Sequence, residues 1–250
     1  MATALNNRSA LMPWKDALPA RIPEIRSGSM GAVYYGQRQS GDMYDFLRIS
    51  PRRVLFGLFD VAGDLKLTRR IIVPLQEKFR SLGAQLLQAD DANESEALLE
   101  LWIALNRTIM KSAVSGICSC PAFFGCFDDE LRTIWYVNAG HISGLLRDGQ
   151  EITELKATAL PLGLFTHSVP DASIIALEPA NTFLLVSKGV LEARYHNEEF
   201  GMERVKEYLQ EARFETAHET CVGVLARVQR FMATAPTHND VTALSVVRSA

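Results

Sequence analysis

The sequence predicts an α+β layered domain: two antiparallel β-sheets packed together with helices outside. Three observations predict it. Short runs rich in β-branched and aromatic residues recur along the 250 residues, polar turn signals separate them, and paired stretches between them switch to a helical period.

In chain order, residues 1 to 24 mix polar residues with prolines without a sustained period, which predicts a flexible or edge-hugging lead ahead of one domain over 25–250. GAVYYGQ (31–37) and RVLFGLFDV (53–61) read as strands, with the turn-like GDMYDFLRISPR between them, giving two or three adjacent strands. Leu67, Ile71, Leu75, Phe79 and Leu82 then recur at helical steps, with Pro74 expected to kink that helix or end its first half. A second helix covers 94–110, with Asn93 as N-cap and acidic residues in its first turn. Strands follow at 118–128, 132–140, 143–148, 152–158, 173–179 and 181–187. A helix carrying Phe200, Val205, Tyr208 and Leu209, another around 220–232, and a last strand VTALSVV (241–247) complete the pattern.

Composition narrows the function classes. With 48% hydrophobic residues the chain can bury a large core without staples. Its 26 basic and 29 acidic residues leave a formal charge of −3, so no general attraction to nucleic acid or anionic lipid is implied. Cys118, Cys120, Cys126 and Cys221 follow no zinc spacing and read as reduced core thiols. No apolar run reaches the roughly 18 residues of a membrane span, and no signal-peptide order opens the chain, so a cytoplasmic location is expected.

The chemistry-bearing residues are carboxylates at strand ends. Asp42 sits in a Gly-Asp turn, Asp60 ends VLFGLF, and Asp240 opens the last strand. Hard oxygen ligands from separate strands suit Mg²⁺ or Mn²⁺, which need only one or two carboxylates each. Each alone also fits a turn residue bonded to nearby backbone.

Taken in order, G-D-M-Y-D-F (41–46), L-F-D-V-A-G (58–63), Y-V-N-A-G-H (136–141), L-P-L-G-L-F (160–165), L-L-V-S-K-G-V-L-E-A-R (184–194), E-F-G (199–201) and N-D-V-T-A-L-S-V-V-R (239–248) resemble the PPM (type 2C) metal-dependent serine/threonine phosphatases. The likeness is strongest to their bacterial SpoIIE-like subfamily. It implies a β-sandwich flanked by helices, with two divalent ions at one end and a bridging water that attacks phosphoserine or phosphothreonine. It also implies that Asp42, Asp60 and the carbonyl of Val61 hold a first Mn²⁺ or Mg²⁺. A phosphorylated regulator of the anti-anti-sigma type is the implied partner.

The second metal site departs from the family pattern. The T-D-G-V turn has become Ser187-Lys188-Gly189-Val190, and D-D-V-T has become Asn239-Asp240-Val241-Thr242. The switch to Asp64-Leu65, followed by Lys66, Arg69 and Arg70, is a third change. A unit charge pair about 4 Å apart at an effective dielectric of 20 is worth about 4 kcal/mol, so an ammonium facing a dication disfavours a second ion. His141, in N-A-G-H, reads as structural.

Three outcomes remain open on the sequence. Lys188 takes the second cation's place in an active one-metal phosphatase and contacts a phosphate oxygen. Or it forms a structural ion pair with Asp60 or Asp240 in a pseudophosphatase that binds rather than hydrolyses. Or it turns to solvent while Asp64 or Asp240 substitutes as a ligand.

Overall fold

A computed structural model describes residues 17–35, 41–63, 65–112, 118–211, 216–233 and 240–249, with the side chains of 65–67 left aside. The element order is β1 (Gly28–Tyr35), β2 (Asp42–Arg48), β3 (Arg53–Asp60), α1 (Leu65–Leu87), α2 (Glu94–Ser112), β4 (Ala122–Asp128), β5 (Thr133–Ala139), β6 (Gly144–Asp148) and β7 (Glu151–Leu155). It continues with β8 (Ser173–Ala176), β9 (Thr182–Val186), α3 (Lys188–Leu191), β10 (Arg194–Tyr195), β11 (Glu198–Glu199), α4 (Gly201–Glu211), α5 (Ala217–Met232) and β12 (Val241–Arg248).

Two five-stranded antiparallel sheets form, in the orders β1-β12-β9-β6-β7 and β2-β3-β4-β5-β8. Strand alternation explains how they stack. Val54, Phe56 and Leu58 of β3 meet Phe183, Leu185, Leu244 and Val246 of the other sheet, filling the space between the sheets. Leu55 and Phe59, one step out of phase, face Ile71, Leu75 and Phe79 of α1 and Leu98, Leu101 and Leu105 of α2. On the far side, Leu184, Val186 and Ala243 pack under Val205 and Leu209 of α4 and Val224 and Val228 of α5. The layers are therefore α-β-β-α.

Three local expectations are corrected. GDMYDFLR is not a turn: Asp42–Arg48 pairs with β3 along its whole length, because Met43, Asp45 and Phe46 are all buried there. The first strand is not adjacent to it, since β1 pairs only with β12 in the opposite sheet. Pro74 does not end its helix. The apolar face Ile71–Leu75–Phe79 is fully buried across the proline, and Arg70, whose carbonyl loses its usual bond there, lies on the exposed side. The expected Asn93 cap is present, with Oδ1 accepting from Glu96 N at 3.3 Å. All four cysteines are buried, unpaired thiols.

Residues 17–24 run along the molecule without regular structure. Leu18 exchanges two hydrogen bonds with the Gln76 amide of α1, at 2.7 and 2.8 Å. The same helix is tied to β2 by Arg80, whose guanidinium holds the fully buried Asp45 through Nε–Oδ2 at 2.6 Å and Nη2–Oδ1 at 2.7 Å. Two planar groups meeting in parallel fix both spacing and angle.

Candidate metal centre

The alternation that builds the core also gathers the polar residues. On β2 the inward positions run Asp42, Tyr44, Phe46; on β3 they run Val54, Phe56, Leu58, Asp60. Asp42 and Asp60 are direct partners in the β2–β3 register, so both carboxylates reach the same end of the sandwich. Across from them, the inward phase of β9 continues past Phe183 and Leu185 to Ser187, and that of β12 begins at Thr242, with Asp240 two residues before it.

The two sheets touch at this end through the Thr242–Asp42 hydrogen bond, beside which β9 and β12 bond each other within their own sheet. Thr242 Oγ1 donates to Asp42 Oδ2 at 2.8 Å. Ser187 N donates to Thr242 O at 2.9 Å, and Thr242 N to Ser187 Oγ at 3.0 Å. Val61 closes the floor: its N–H donates to Gly41 O at 3.1 Å. Gly41 passes so near that a Cβ there would lie 1.9 Å from Val61 O, which sets that carbonyl beside the Gly41–Asp42 step. Only glycine fits this approach.

Asp42, Asp60, Val61 and Asp240 thus converge, while Asp64 and Asn239 fall outside the described residues. Lys188 departs from one expectation. Its ammonium bonds Glu192 Oε1 at 2.8 Å, one turn further along α3, and its side chain is 62% exposed. It acts on Asp60 through space and makes its ion pair with Glu192. The reason is local: Lys188 opens a four-residue helix, so a carboxylate at i+4 is its nearest neighbour. Sequence reading also passed over Glu192 itself, which lies near enough to raise the Asp60 carboxyl. The i, i+4 spacing to Lys188 was the available signal.

The electrostatics are those of a cation site. Asp42 is pushed up to about 7, by burial first, with Asp60 and Asp240 adding to it against the hydroxyl bonds of Thr242 and Ser187. Asp60 is also raised, by burial and by Glu192, with Lys188 opposing. The partners of Asp42 are neutral hydroxyls, so a divalent cation would relieve its repulsion from the neighbouring carboxylates. Two hard carboxylates and a carbonyl suit one Mg²⁺ or Mn²⁺ that keeps several waters. Among the described residues no group of three or more His, Cys, Asp or Glu forms an all-protein cage. His141 is not in this set: it is buried, held below the usual histidine range at about 4 by that burial, and its Nδ1 lies 3.1 Å from Ile142 O.

A pH test follows for the metal-free chain. An ordinary Asp titrates near 3.8, and Asp42 is raised to about 7. Below about pH 4 the group is protonated folded or unfolded; as pH rises toward 7 the unfolded chain ionises more readily and stability is lost. Asp42→Asn is neutral throughout and escapes that loss. In EDTA it should melt with the parent near about pH 4 and above it at about pH 8, by the equivalent of about 2 kcal/mol after allowing for solvent screening. Saturating Mn²⁺ should reverse the order, because only the parent gains binding energy. Melting curves at the two pH values, with and without Mn²⁺, decide it.

With the fold and site in hand, known proteins place the chain. The SiaA-PP2C domain of Pseudomonas aeruginosa superposes with a TM-score of 0.69 at 20% identity, covering 87% of this chain and 84% of that one. The PP2C phosphatase domain of SpoIIE from Bacillus subtilis, with a fragment of its regulatory domain, superposes with a TM-score of 0.69 at 17% identity, covering 88% and 61%. At these identities the likeness is one of fold. Protein IcfG of Synechocystis sp. (strain ATCC 27184 / PCC 6803 / Kazusa) is 22% identical over 212 residues, and the chain spans about a third of its length. The family model of stage II sporulation protein E matches residues 71–249, and the chain belongs to that family, the SpoIIE-like branch of the PPM (type 2C) phosphatases.

Proposed function

We propose that this domain binds a phosphorylated regulatory protein at a one-ion site, with two-metal hydrolysis weakened or lost. The observation that carries the reading is the pairing of Asp42 with Asp60 at the sandwich end while Lys188, paired to Glu192, occupies the turn where the family pattern has an aspartate. A Mn²⁺ or Mg²⁺ bound by Asp42, Asp60 and the Val61 carbonyl would supply charge for a phosphoryl oxygen. The chain's own contribution is to hold those oxygens in place and to offer an exposed ammonium at the rim as a point charge for phosphate. A phosphorylated regulator of the anti-anti-sigma type remains the partner that the family resemblance supports.

A second reading rests on the exposure of Lys188. An ammonium that reaches solvent while acting on Asp60 can contact a phosphate oxygen in the reaction itself, replacing the second cation in a slow one-ion phosphatase.

The experiment pairs binding with turnover. Purified chain should bind a phosphoserine peptide, Lys188→Met should weaken that binding about 10-fold, and Mn²⁺-dependent release of phosphate should stay near background. Robust turnover that disappears in Asp60→Asn contradicts the binding reading. Slow turnover lost in both Lys188→Met and Asp60→Asn favours the second.

A further inference from the structure

Ser187 and Thr242 occupy positions where packing alone calls for apolar side chains. Both are fully buried, in inward slots filled further along the same strands by Phe183, Leu185, Leu244 and Val246. Ser187 is also the N-cap of α3, with extended backbone at φ −74° and ψ 164°, yet its side chain makes no capping bond. An N-cap serine ordinarily accepts from the second or third amide of its helix. Here Oγ accepts instead from Thr242 N at 3.0 Å, and the hydroxyl lies close enough to Asp42 to hold its carboxyl down. Thr242 Oγ1 donates to Asp42 Oδ2 at 2.8 Å. Two buried hydroxyls on one sheet thus both act on one carboxylate of the other, Thr242 by a direct bond and Ser187 by its proximity.

We propose that Ser187 and Thr242 are positioning residues that fix the Asp42 carboxylate in the orientation that receives a divalent cation. The proposal deepens the one-ion reading and rests on it. A carboxylate held by two hydroxyls is ordered on folding, so less side-chain freedom remains to be lost when the ion binds. Because the bonds cross between sheets, they also couple Asp42 to the closure of this end of the sandwich. Small shifts of β9 or β12 against β2 therefore reach the metal centre through the two hydroxyls.

The test is calorimetric titration of the full chain with Mn²⁺, using variants that change one oxygen. Thr242→Val, which replaces the hydroxyl with a methyl of similar size, should weaken Mn²⁺ binding about 10- to 100-fold with the fold intact by circular dichroism. Thr242→Ser, which keeps the hydroxyl and loses the methyl, should bind within about 3-fold of the parent. A role in packing alone predicts the opposite order. Ser187→Ala should weaken binding about 10-fold and serves as the test if Thr242→Val fails to fold. Parental affinity in both Thr242→Val and Ser187→Ala overturns the proposal and leaves the one-ion site standing. Absence of Mn²⁺ binding by the parent overturns the one-ion reading, and the positioning role with it.

Discussion

Lys188→Asp combined with Asn239→Asp should create a second Mn²⁺ site and raise phosphoserine hydrolysis at least about 100-fold over the parent chain. The first substitution changes the local charge by two units and the second by one more. At an effective dielectric of 20, each unit charge about 4 Å from a dication contributes several kcal/mol, and about 1.4 kcal/mol already makes a factor of ten. The fold should tolerate the change, because the Lys188–Glu192 pair is exposed, and such a pair is worth only about 0.3–0.5 kcal/mol. The metal-free variant should nevertheless melt below the parent. Lys188→Asp adds negative charge beside Asp60 and Glu192, and Mn²⁺ should restore the loss. Steady-state phosphate release together with melting in EDTA and in Mn²⁺ measures both effects. An intact double variant with one ion and no gain in rate would mean that the scaffold has lost more than these two ligands.

Arg53→Met should destabilise the chain by about 3–5 kcal/mol, the cost of removing one partner from a buried ion pair. Arg53 is 2% exposed at the start of β3. Its Nε bonds Glu94 Oε1 at 2.7 Å, and its two amino groups donate to the carbonyls of Leu87, Ala89, Asp90 and Ala92 in the turn joining α1 to α2. Methionine fills much of the volume but leaves the carboxylate and those carbonyls short of donors. Lysine should recover less than half of the loss, since one ammonium cannot span the same acceptors. Arg53 and Asp60 lie at opposite ends of an eight-residue strand, about 23 Å apart at the usual rise. Mn²⁺ affinity should therefore stay near the parental value in folded Arg53→Met at low temperature. A thermal melt beside a metal titration separates the two quantities.

These two residues mark what the sequence makes legible. Lys188 could be read because it interrupts an ordered set of segments; its neighbours in the pattern define what the position ought to hold. Arg53 could not, because an arginine opening the run RVLFGLF looks like any charged strand end, and only the fold brings the α1–α2 turn around it. GDMYDFLR was misread for a related reason. Its Asp45 breaks the apolar alternation of a strand, and the Arg80 that neutralises it lies 35 residues away on a helix. The core strands and both helical pairs follow from local periodicity; the grouping of Asp42 with Asp60 rests only on the family resemblance. The buried Thr242–Asp42 bond depends on contact between segments distant in sequence, whereas the Lys188–Glu192 pair is local. Even so, Ser187 and Thr242 had a local signal: each continues the inward phase of an apolar strand with a polar residue.

The proposed site holds a single divalent ion, with Lys188 standing where a second ion's aspartate is expected. Calorimetric titration of the parent chain with Mn²⁺ tests it directly. One ion per chain, abolished by Asp60→Asn, is the predicted result; two ions per chain, or none, would contradict it.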